Sequence, residues 1–271
     1  MKKLLSLITA AVLMASLLTA CGGSASTAKN SAAPSAAASG ESDSAYIKKN
    51  GKLIVGITEY EPMDYQKDGK WVGFDAEFAE AVAKDMGVIA EFVVIDWDNK
   101  FLELDSKAID CIWNGMTITD EVKLNTACSD AYAKNEQVVV MKKDEASKYK
   151  TAESIKGLKF AVESGSAAES AAKDAGLTAV AVKAQSDALM EVKAGSTDAC
   201  IIDITMAKSM TGEGTSYADL AQSVSLTKEE YGIGFRKGSD MQKTINEYIK
   251  TMKADGTLAA LAEKYGVALS D

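Results

Sequence analysis

Histidine is absent from this sequence of 271 residues, and arginine occurs only at Arg236, proline twice and cysteine four times. Without histidine the chain lacks the Ser-His-Asp and Cys-His pairs of nucleophilic catalysis, and a transition-metal site is not expected. The formal net charge is −9 and the lysines form no basic cluster, so nucleic acid is not an expected partner either. We therefore expect no catalytic residue, no metal and no cofactor.

The first 21 residues have the pattern of a targeting segment. Lys2 and Lys3 precede an apolar run from 4 to 18, which is too short to be a good membrane-spanning helix. The run ends in Leu18–Thr19–Ala20–Cys21, which resembles the lipobox of bacterial lipoproteins. The resemblance implies cleavage before Cys21 and a lipid on its thiol, which would hold the protein outside the cytoplasmic membrane. A plain secretory signal with a chance cysteine is the alternative.

Residues 22–45 are rich in serine, alanine and glycine and have no apolar period, so they predict a flexible tether. Folded sequence is expected to begin near Tyr46. The three remaining cysteines are Cys111, Cys128 and Cys200. An odd number of cysteines outside the cytoplasm argues against a disulfide framework.

Strand-like and helical patterns alternate in the first half of the chain. Residues 52–57, 90–95 and 111–113 are apolar runs typical of buried strands, and 74–86 has large apolar residues every four positions. The order βαβαβα predicts a parallel sheet with helices on its faces.

The stretch 110–130 is the centre of this first half. A strand leads into the Asn114–Gly115 turn, the hydroxyl of Thr117 and a helix start at Thr119. Such a junction directs unpaired backbone N–H groups at one point, which predicts a place to hold a small molecule. An ordinary strand-to-helix connection has the same pattern.

The alternation repeats between 158 and 203, where a third strand ends at Asp203. Two similar lobes are the simplest account, and ligands in such sheets bind beyond the carboxyl ends of the strands. The extended runs 136–141 and 230–235 are expected to cross between the lobes. We therefore predict an α/β fold in which residues 46–137 and 233–271 form lobe 1 and residues 138–232 form lobe 2. Two hinge strands permit closure by rotation.

Several motifs point jointly to one family. They are GKLIVGITEYEP, GKWVGFDAEFAEAVAKDMGV, DWDNKFLELDSKAIDCIWNGMTIT, SDAY, VESGS, DACIID, EEYGIGFRKGS and MKADGTLAALAEKYG. Together they resemble the extracytoplasmic solute-binding proteins of polar amino-acid ABC importers, family 3 type. The resemblance implies a type II periplasmic-binding-protein fold, with two mixed sheets joined by two hinge strands, and an ABC permease as partner.

The resemblance also implies a set of ligand contacts. In lobe 1 these are an acidic residue, two aromatic lids and a polar turn; in lobe 2 they are a helix-start loop and an amine-binding aspartate. They correspond to Glu59, Tyr60, Trp97, Asn114, Gly115, Thr117, Ser164, Gly165, Ser166 and Asp203.

One departure from the family pattern concerns the ligand's carboxylate. The family carries a carboxylate-clamping arginine in a Thr-Asp-Glu-Arg run, and here Val122 occupies that position. Lys123 is one step further along the helix and faces elsewhere, and Arg236 matches a position outside the cleft. Either the ligand lacks a free α-carboxylate, or helix N-termini and threonines hold it alone.

The expected function is binding of an amino acid or related amine, with Glu59 and Asp203 on the ammonium and Tyr60 and Trp97 around the rest. Asp64, Trp113 and Glu163 add acidic and aromatic groups to the expected cleft. One alternative is an enzyme resembling cyclohexadienyl dehydratase, with Glu163 as its acid or base. Another is a ligand-sensing module that docks on a receptor. A monomer is expected in each case.

Overall fold

The computed structural model describes residues 41–271, which form three sheets and ten α-helices. The first elements are α1 (Asp43–Asn50), β1 (Lys52–Ile57), β2 (Tyr65–Lys67), β3 (Lys70–Val72), α2 (Phe74–Asp85), β4 (Ile89–Val94), α3 (Lys100–Asp105), β5 (Cys111–Thr117), α4 (Asp120–Asn125), β6 (Ala127–Cys128) and β7 (Ala133–Asn135). The remaining elements are β8 (Gln137–Lys142), α5 (Lys143–Ala146), β9 (Lys159–Glu163), α6 (Ala167–Asp174), β10 (Thr178–Val182), α7 (Gln185–Ala194), β11 (Ala199–Asp203), α8 (Ile204–Met210), β12 (Leu220–Ser225), β13 (Glu229–Phe235), α9 (Met241–Ala254) and α10 (Thr257–Tyr265).

The first large sheet has the strand order β4-β1-β5-β13-β6, and β7 also pairs with β13. β1 runs parallel to β4 and β5, whereas β13 runs antiparallel to β5. The parallel strands are apolar because helices cover the sheet, and the last three residues of β1 are all buried. With α1–α4, α9 and α10, this sheet forms lobe 1.

The second large sheet has the order β10-β9-β11-β8-β12. β9 runs parallel to β10 and β11, whereas β8 runs antiparallel to β11 and β12. With α5–α8, this sheet forms lobe 2. The expectation of two mixed sheets is therefore confirmed.

The chain crosses between the lobes twice. The first crossing lies at Glu136, between β7 in the first sheet and β8 in the second. The second lies at 226–228, because β13 pairs with strands of the first sheet from Glu229 onward. The second crossing is thus earlier than expected, and residues 229–232 belong to lobe 1. An apolar run has the same pattern in a hinge and in a buried strand, so the sequence alone misplaces this boundary.

The described chain already folds before Tyr46, which corrects the expected end of the tether. The side chain of Ser42 caps α1 by accepting a hydrogen bond from the N–H of Ala45. Asp43 forms an ion pair with Arg236, with 3.1 Å between Oδ2 and Nε. The expected signal peptide with Cys21 and the first part of the tether, to residue 40, lie outside the described residues.

The C-terminal segment returns to lobe 1, as expected. Helix α9 buries a stripe formed by Met241, Ile245, Ile249 and Met252 in the same apolar core as β1 and α2. Across residues 41–271, no helix combines the length and the apolar character needed to span a membrane.

Candidate functional site

A cavity lies where the carboxyl ends of β5, β9 and β11 meet. Its volume is about 40 Å³, which is room for a few water molecules. A larger molecule can enter only if the lobes or the lining side chains move. The lining residues come from both lobes and are Trp97, Lys100, Asn114, Gly115, Met116, Thr117, Thr119, Glu121, Val122, Gln137, Glu163, Gly165, Ser166, Ala167, Ala168, Ser170, Gln185 and Asp203.

The end of β5 forms the wall from lobe 1. Gly115 has φ +56° and its N–H donates a 2.6 Å hydrogen bond to Oδ2 of Asp75. A Cβ at this position would lie 2.7 Å from the ring of Tyr60, so both the backbone and the space require glycine. The amide of Asn114 donates to Oδ2 of Asp64 at 2.8 Å and to the carbonyl of Thr58. This wall is therefore held rigidly by bonds within lobe 1.

Asp203 lies at the end of β11 in the wall from lobe 2. Its carboxylate accepts hydrogen bonds from the side-chain amides of Asn135, Gln137 and Gln185. Burial, followed by the negative charge of Glu229, raises the pKa of Asp203 to about 7, against the opposing effect of the three amides. The carboxylate is thus fixed in position and desolvated at the cavity surface.

Glu163 ends β9, the strand beside β11, and is also buried. Burial, followed by the charge of Asp203, raises the pKa of Glu163 to about 8. Among the described residues, Oε1 of Glu163 and Oε1 of Gln137 have no hydrogen-bond donor. The wall from lobe 2 therefore contains two buried carboxyl groups, and the two oxygens without a donor belong to residues of this wall.

Lys100, the first residue of α3, brings a cation to the cavity and is only 4% exposed. Its Nζ donates to the carbonyl of Trp97 at 3.2 Å and to the carbonyl of Gly165 at 2.9 Å. The ammonium also lies 5.2 Å from the ring centre of Trp97. Burial lowers the pKa of Lys100, whereas neighbouring carboxylates, Glu121 first, raise it.

The structure brings most of the predicted site residues together at this cavity. Seven of the ten predicted contacts line it: Trp97, Asn114, Gly115, Thr117, Gly165, Ser166 and Asp203.

Three predicted contacts lie elsewhere. Glu59 is exposed and is not part of the cavity wall. Tyr60 is buried behind Gly115, and its hydroxyl lies 2.6 Å from that of Tyr231. The backbone of Tyr60 pairs with Asp64 in an antiparallel bridge that turns its ring inward, so the preceding residue points to solvent. Ser164 also lies outside the lining, and its N–H donates to the carbonyl of Val182.

Several lining residues have no clear signal in the sequence. Lys100 begins a short helix three residues after Trp97, and the sequence does not define the buried face of this helix. Gln185 lies at the start of α7 and reaches Asp203 only in the folded chain. Gln137 had a weak signal, as a polar residue at the start of an apolar strand.

Comparisons with known proteins identify one family. Residues 53–268 match the model of the family described as "Bacterial extracellular solute-binding proteins, family 3". The chain is 33% identical over 225 residues to the L-cystine-binding protein TcyJ of Escherichia coli K12, covering 81% of this chain and 84% of that protein. It is 34% identical over 237 residues to the arginine-binding extracellular protein ArtP of Bacillus subtilis 168, covering 84% and 91%.

A solved structure is similar over the whole fold. The ancestral amino acid-binding protein AncCDT-1, a precursor of cyclohexadienyl dehydratase, is 34% identical, with a TM-score of 0.76 and coverage of 83% of this chain and 99% of that one.

Proposed function

Because this chain belongs to the bacterial extracellular solute-binding proteins of family 3 and has their type II periplasmic-binding-protein fold, we propose that it binds an amine-bearing solute between its lobes and delivers it to an ABC importer. The solute is an amino acid or a related amine. The two relatives described above are named for L-cystine and arginine, both of which carry an α-amine.

One observation carries the choice of an amine. Glu163 and Asp203 end neighbouring strands at the cavity, and both are buried residues that line it. An ammonium group supplies three N–H donors and a positive charge. It would pair with both carboxylates, at a place where leaving a buried charge unpaired is costly.

Lobe closure provides the route by which the solute enters. A cavity of about 40 Å³ is too small for an amino acid, so the lobes open by rotation about the crossings at Glu136 and 226–228. On closing, Trp97, Met116 and Val122 supply apolar surface around the solute's side chain. Desolvation by closure strengthens the pairing of its amine with Glu163 and Asp203.

The partner and location follow the family. Members act outside the cell, and the importer's permease is the membrane partner of this chain. We further propose that a lipid on Cys21 anchors the mature protein to the membrane and that the protein acts as a monomer. The residues from 22 to the start of α1 then serve as the tether between anchor and lobes.

Neither alternative function is favoured. An enzyme of the dehydratase type needs a positioned acid or base, and Glu163 is the residue that the sequence suggested for this role. The relatives described above are named as binding proteins. No observation points to a sensing module.

Isothermal titration calorimetry with L-arginine, L-cystine, L-glutamine and L-histidine tests the proposal. Each is compared with its Nα-acetylated form, which has the same side chain and carboxylate but no α-ammonium. We expect at least one amino acid to bind and its acetylated form to bind more weakly by about a hundredfold, because a buried carboxylate pair loses its counter-charge. Equal binding of the two forms, or binding of none of the four, contradicts the proposal.

Variants locate the amine. Asp203→Asn and Glu163→Gln each remove one carboxylate with little change in shape, and we expect each to weaken binding by at least about tenfold. Glu59→Gln is the matched control, because Glu59 is an exposed carboxylate in the same protein. If Glu59→Gln loses as much affinity as the other two variants, the ammonium contacts Glu59, as the sequence predicts.

A further inference from the structure

Lys100 is the one cationic side chain among the residues that line the cavity. It reaches the cavity from lobe 1, as does Val122, which occupies the position of the family's carboxylate-clamping arginine and is 3% exposed. The missing arginine therefore does not leave the cavity without a positive charge. The charge comes from a different element, the start of α3, on a lysine that the family pattern does not predict.

The bonding of Lys100 leaves it able to accept an anionic partner. Its Nζ donates to two backbone carbonyls, those of Trp97 and Gly165, and it forms no ion pair with a carboxylate of the described residues at bonding distance. An ammonium has three N–H donors, so one remains. The negative charges of Glu121, Glu163, Asp98 and Glu169 act on the ammonium without bonding to it and offset part of the cost of its burial.

The neighbouring helix start provides further donors at the same place. Lys100 bonds to Gly165, and two residues further on α6 begins with Ala167 and Ala168, which also line the cavity. The N–H groups of these two alanines have no acceptor among the described residues. The start of a helix favours a negative charge through its free N–H groups and its dipole.

We infer that Lys100, together with the start of α6, binds a carboxylate of the solute. The bound species is then a zwitterion, with its ammonium at Glu163 and Asp203 and its carboxylate at Lys100, and not a simple amine. This inference rests on the proposed function and narrows its ligand class. It also explains how a chain with Val122 in place of the clamping arginine retains binding of amino acids.

A purely mechanical role for Lys100 makes a different prediction. The bond from Nζ to the carbonyl of Gly165 joins the two lobes, so its loss could hinder closure around any solute. In that case the affinity for every ligand falls by the same factor. A carboxylate-binding role lowers affinity only for ligands that carry the carboxylate.

The test measures Lys100→Met against three matched ligand pairs by calorimetry: L-arginine and agmatine, L-histidine and histamine, L-glutamine and 4-aminobutanamide. The second member of each pair lacks only the carboxylate. We expect Lys100→Met to weaken binding of the amino acid by about tenfold or more. The decarboxylated partner should bind the variant as tightly as the wild type, or more tightly, because a repelling cation is gone.

Two controls keep the outcomes distinct. Lys100→Arg retains the charge and should keep most of the preference for the amino acid. Lys123→Met makes the same charge change at an exposed lysine beside Val122 and should change neither affinity.

Equal weakening of both ligand types, or no weakening of amino-acid binding in Lys100→Met, overturns the carboxylate role and leaves the proposed function standing. If the wild type binds no member of any pair, the proposed function fails and this inference fails with it. Circular dichroism and a thermal melt of Lys100→Met check that the variant is folded.

Discussion

Nζ of Lys100 lies 2.9 Å from the carbonyl oxygen of Gly165, and this hydrogen bond joins α3 of lobe 1 to the loop before α6 of lobe 2. Gly165 has φ +68°, and a Cβ there would lie 2.8 Å from Oδ1 of Asp98 and 2.9 Å from its Cα. The two lobes are thus in contact beside the cavity. Their approach depends on a glycine that carries no side chain.

The contact at Gly165 gives the first prediction. Gly165→Ala inserts a methyl group against the backbone of Asp98, so the lobes close less fully, and we expect affinity for the amino acid to fall by about tenfold. Gly176→Ala is the matched control, since Gly176 has φ +67° with no atom within 4 Å of its Cβ position. Both variants should lose about 1 kcal/mol of unfolding free energy from backbone strain, and only the first should lose affinity. Equal affinities in the two variants would show that this contact does not limit closure.

The pH dependence of affinity is the second prediction. Burial raises the pKa of Asp203 to about 7 and that of Glu163 to about 8. A bound ammonium lowers both values, so the free protein must release protons to bind. Affinity should therefore fall as the pH is lowered from about 8 to about 6, by up to about tenfold per unit for each group.

The profile is measured by titration at constant ionic strength with an amino acid whose amine stays protonated over this range. Glu163→Gln should flatten its upper part, where Glu163 titrates. A flat wild-type profile would show that neither carboxyl changes protonation on binding.

The stability of the ligand-free protein gives a third prediction. Here the stability falls as the pH rises, whereas the affinity for the solute rises with pH. Glu163 titrates near 4.3 in an unfolded chain and near 8 when folded, so the folded state holds its proton between these values. The contribution of this group to stability is present below about pH 4.3 and is lost as pH rises through 8. Glu163→Gln removes this pH-dependent loss of stability. The variant should be more stable than the wild type by up to a few kcal/mol at pH 8 and by little at pH 5.

Urea unfolding of wild type and Glu163→Gln at the two pH values measures this difference. Glu213→Gln, at an exposed glutamate, is the control and should change stability at neither pH. A Glu163→Gln variant that is less stable than wild type at pH 8 contradicts the assigned cause of the raised pKa.

Arg236 provides a stability prediction away from the cavity. Its guanidinium bonds to Asp110 at 3.0 Å, to Asp43 at 3.1 Å and to the carbonyl of Ile109 at 2.7 Å. Arg236→Met leaves the buried carboxylate of Asp110 without its partner, which should cost about 3–5 kcal/mol of unfolding free energy. Ligand affinity should not change. Lys237→Met, an exposed neighbour, is the control, and a cost below about 1 kcal/mol in Arg236→Met would refute the structural role.

Val122 allows the charge to be moved within the cavity. Because Val122 lines the cavity, Val122→Arg should place a guanidinium there, at the position to which the resemblance in sequence assigns the family's clamping arginine. In a Lys100→Met background we expect it to restore part of the affinity for amino acids, as measured by calorimetry. Lys123→Arg in the same background should restore none. Failure of Val122→Arg to restore binding in a folded protein would show that the position does not face the carboxylate.

The sequence predicted the local structure well where apolar residues repeat with the short period of a strand or a helix. The strand at 52–57 has the same bounds in the structure, and the helix predicted over 74–86 is observed as Phe74–Asp85. Asp203 was expected at a strand end, and β11 does end there. These features follow from apolar periodicity and from where ligands bind on such sheets, both of which are visible in one sequence.

The parts that the sequence did not predict depend on contacts between distant segments. Glu59 was expected to face the ammonium, but the pairing of Tyr60 with Asp64 turns it to solvent. The importance of Lys100 appears only when its helix is placed against Gly165, 65 residues later. Periodicity describes which face of one element is apolar, and it does not describe which elements meet.

A crystal structure with a bound amino acid, chosen by the titrations above, tests the central claim most directly. The account predicts the amine nitrogen within about 3.2 Å of carboxylate oxygens of both Glu163 and Asp203, with the two lobes closed around it. An amino acid bound between the lobes with its amine directed away from both carboxylates, or bound on an outer surface, would contradict it.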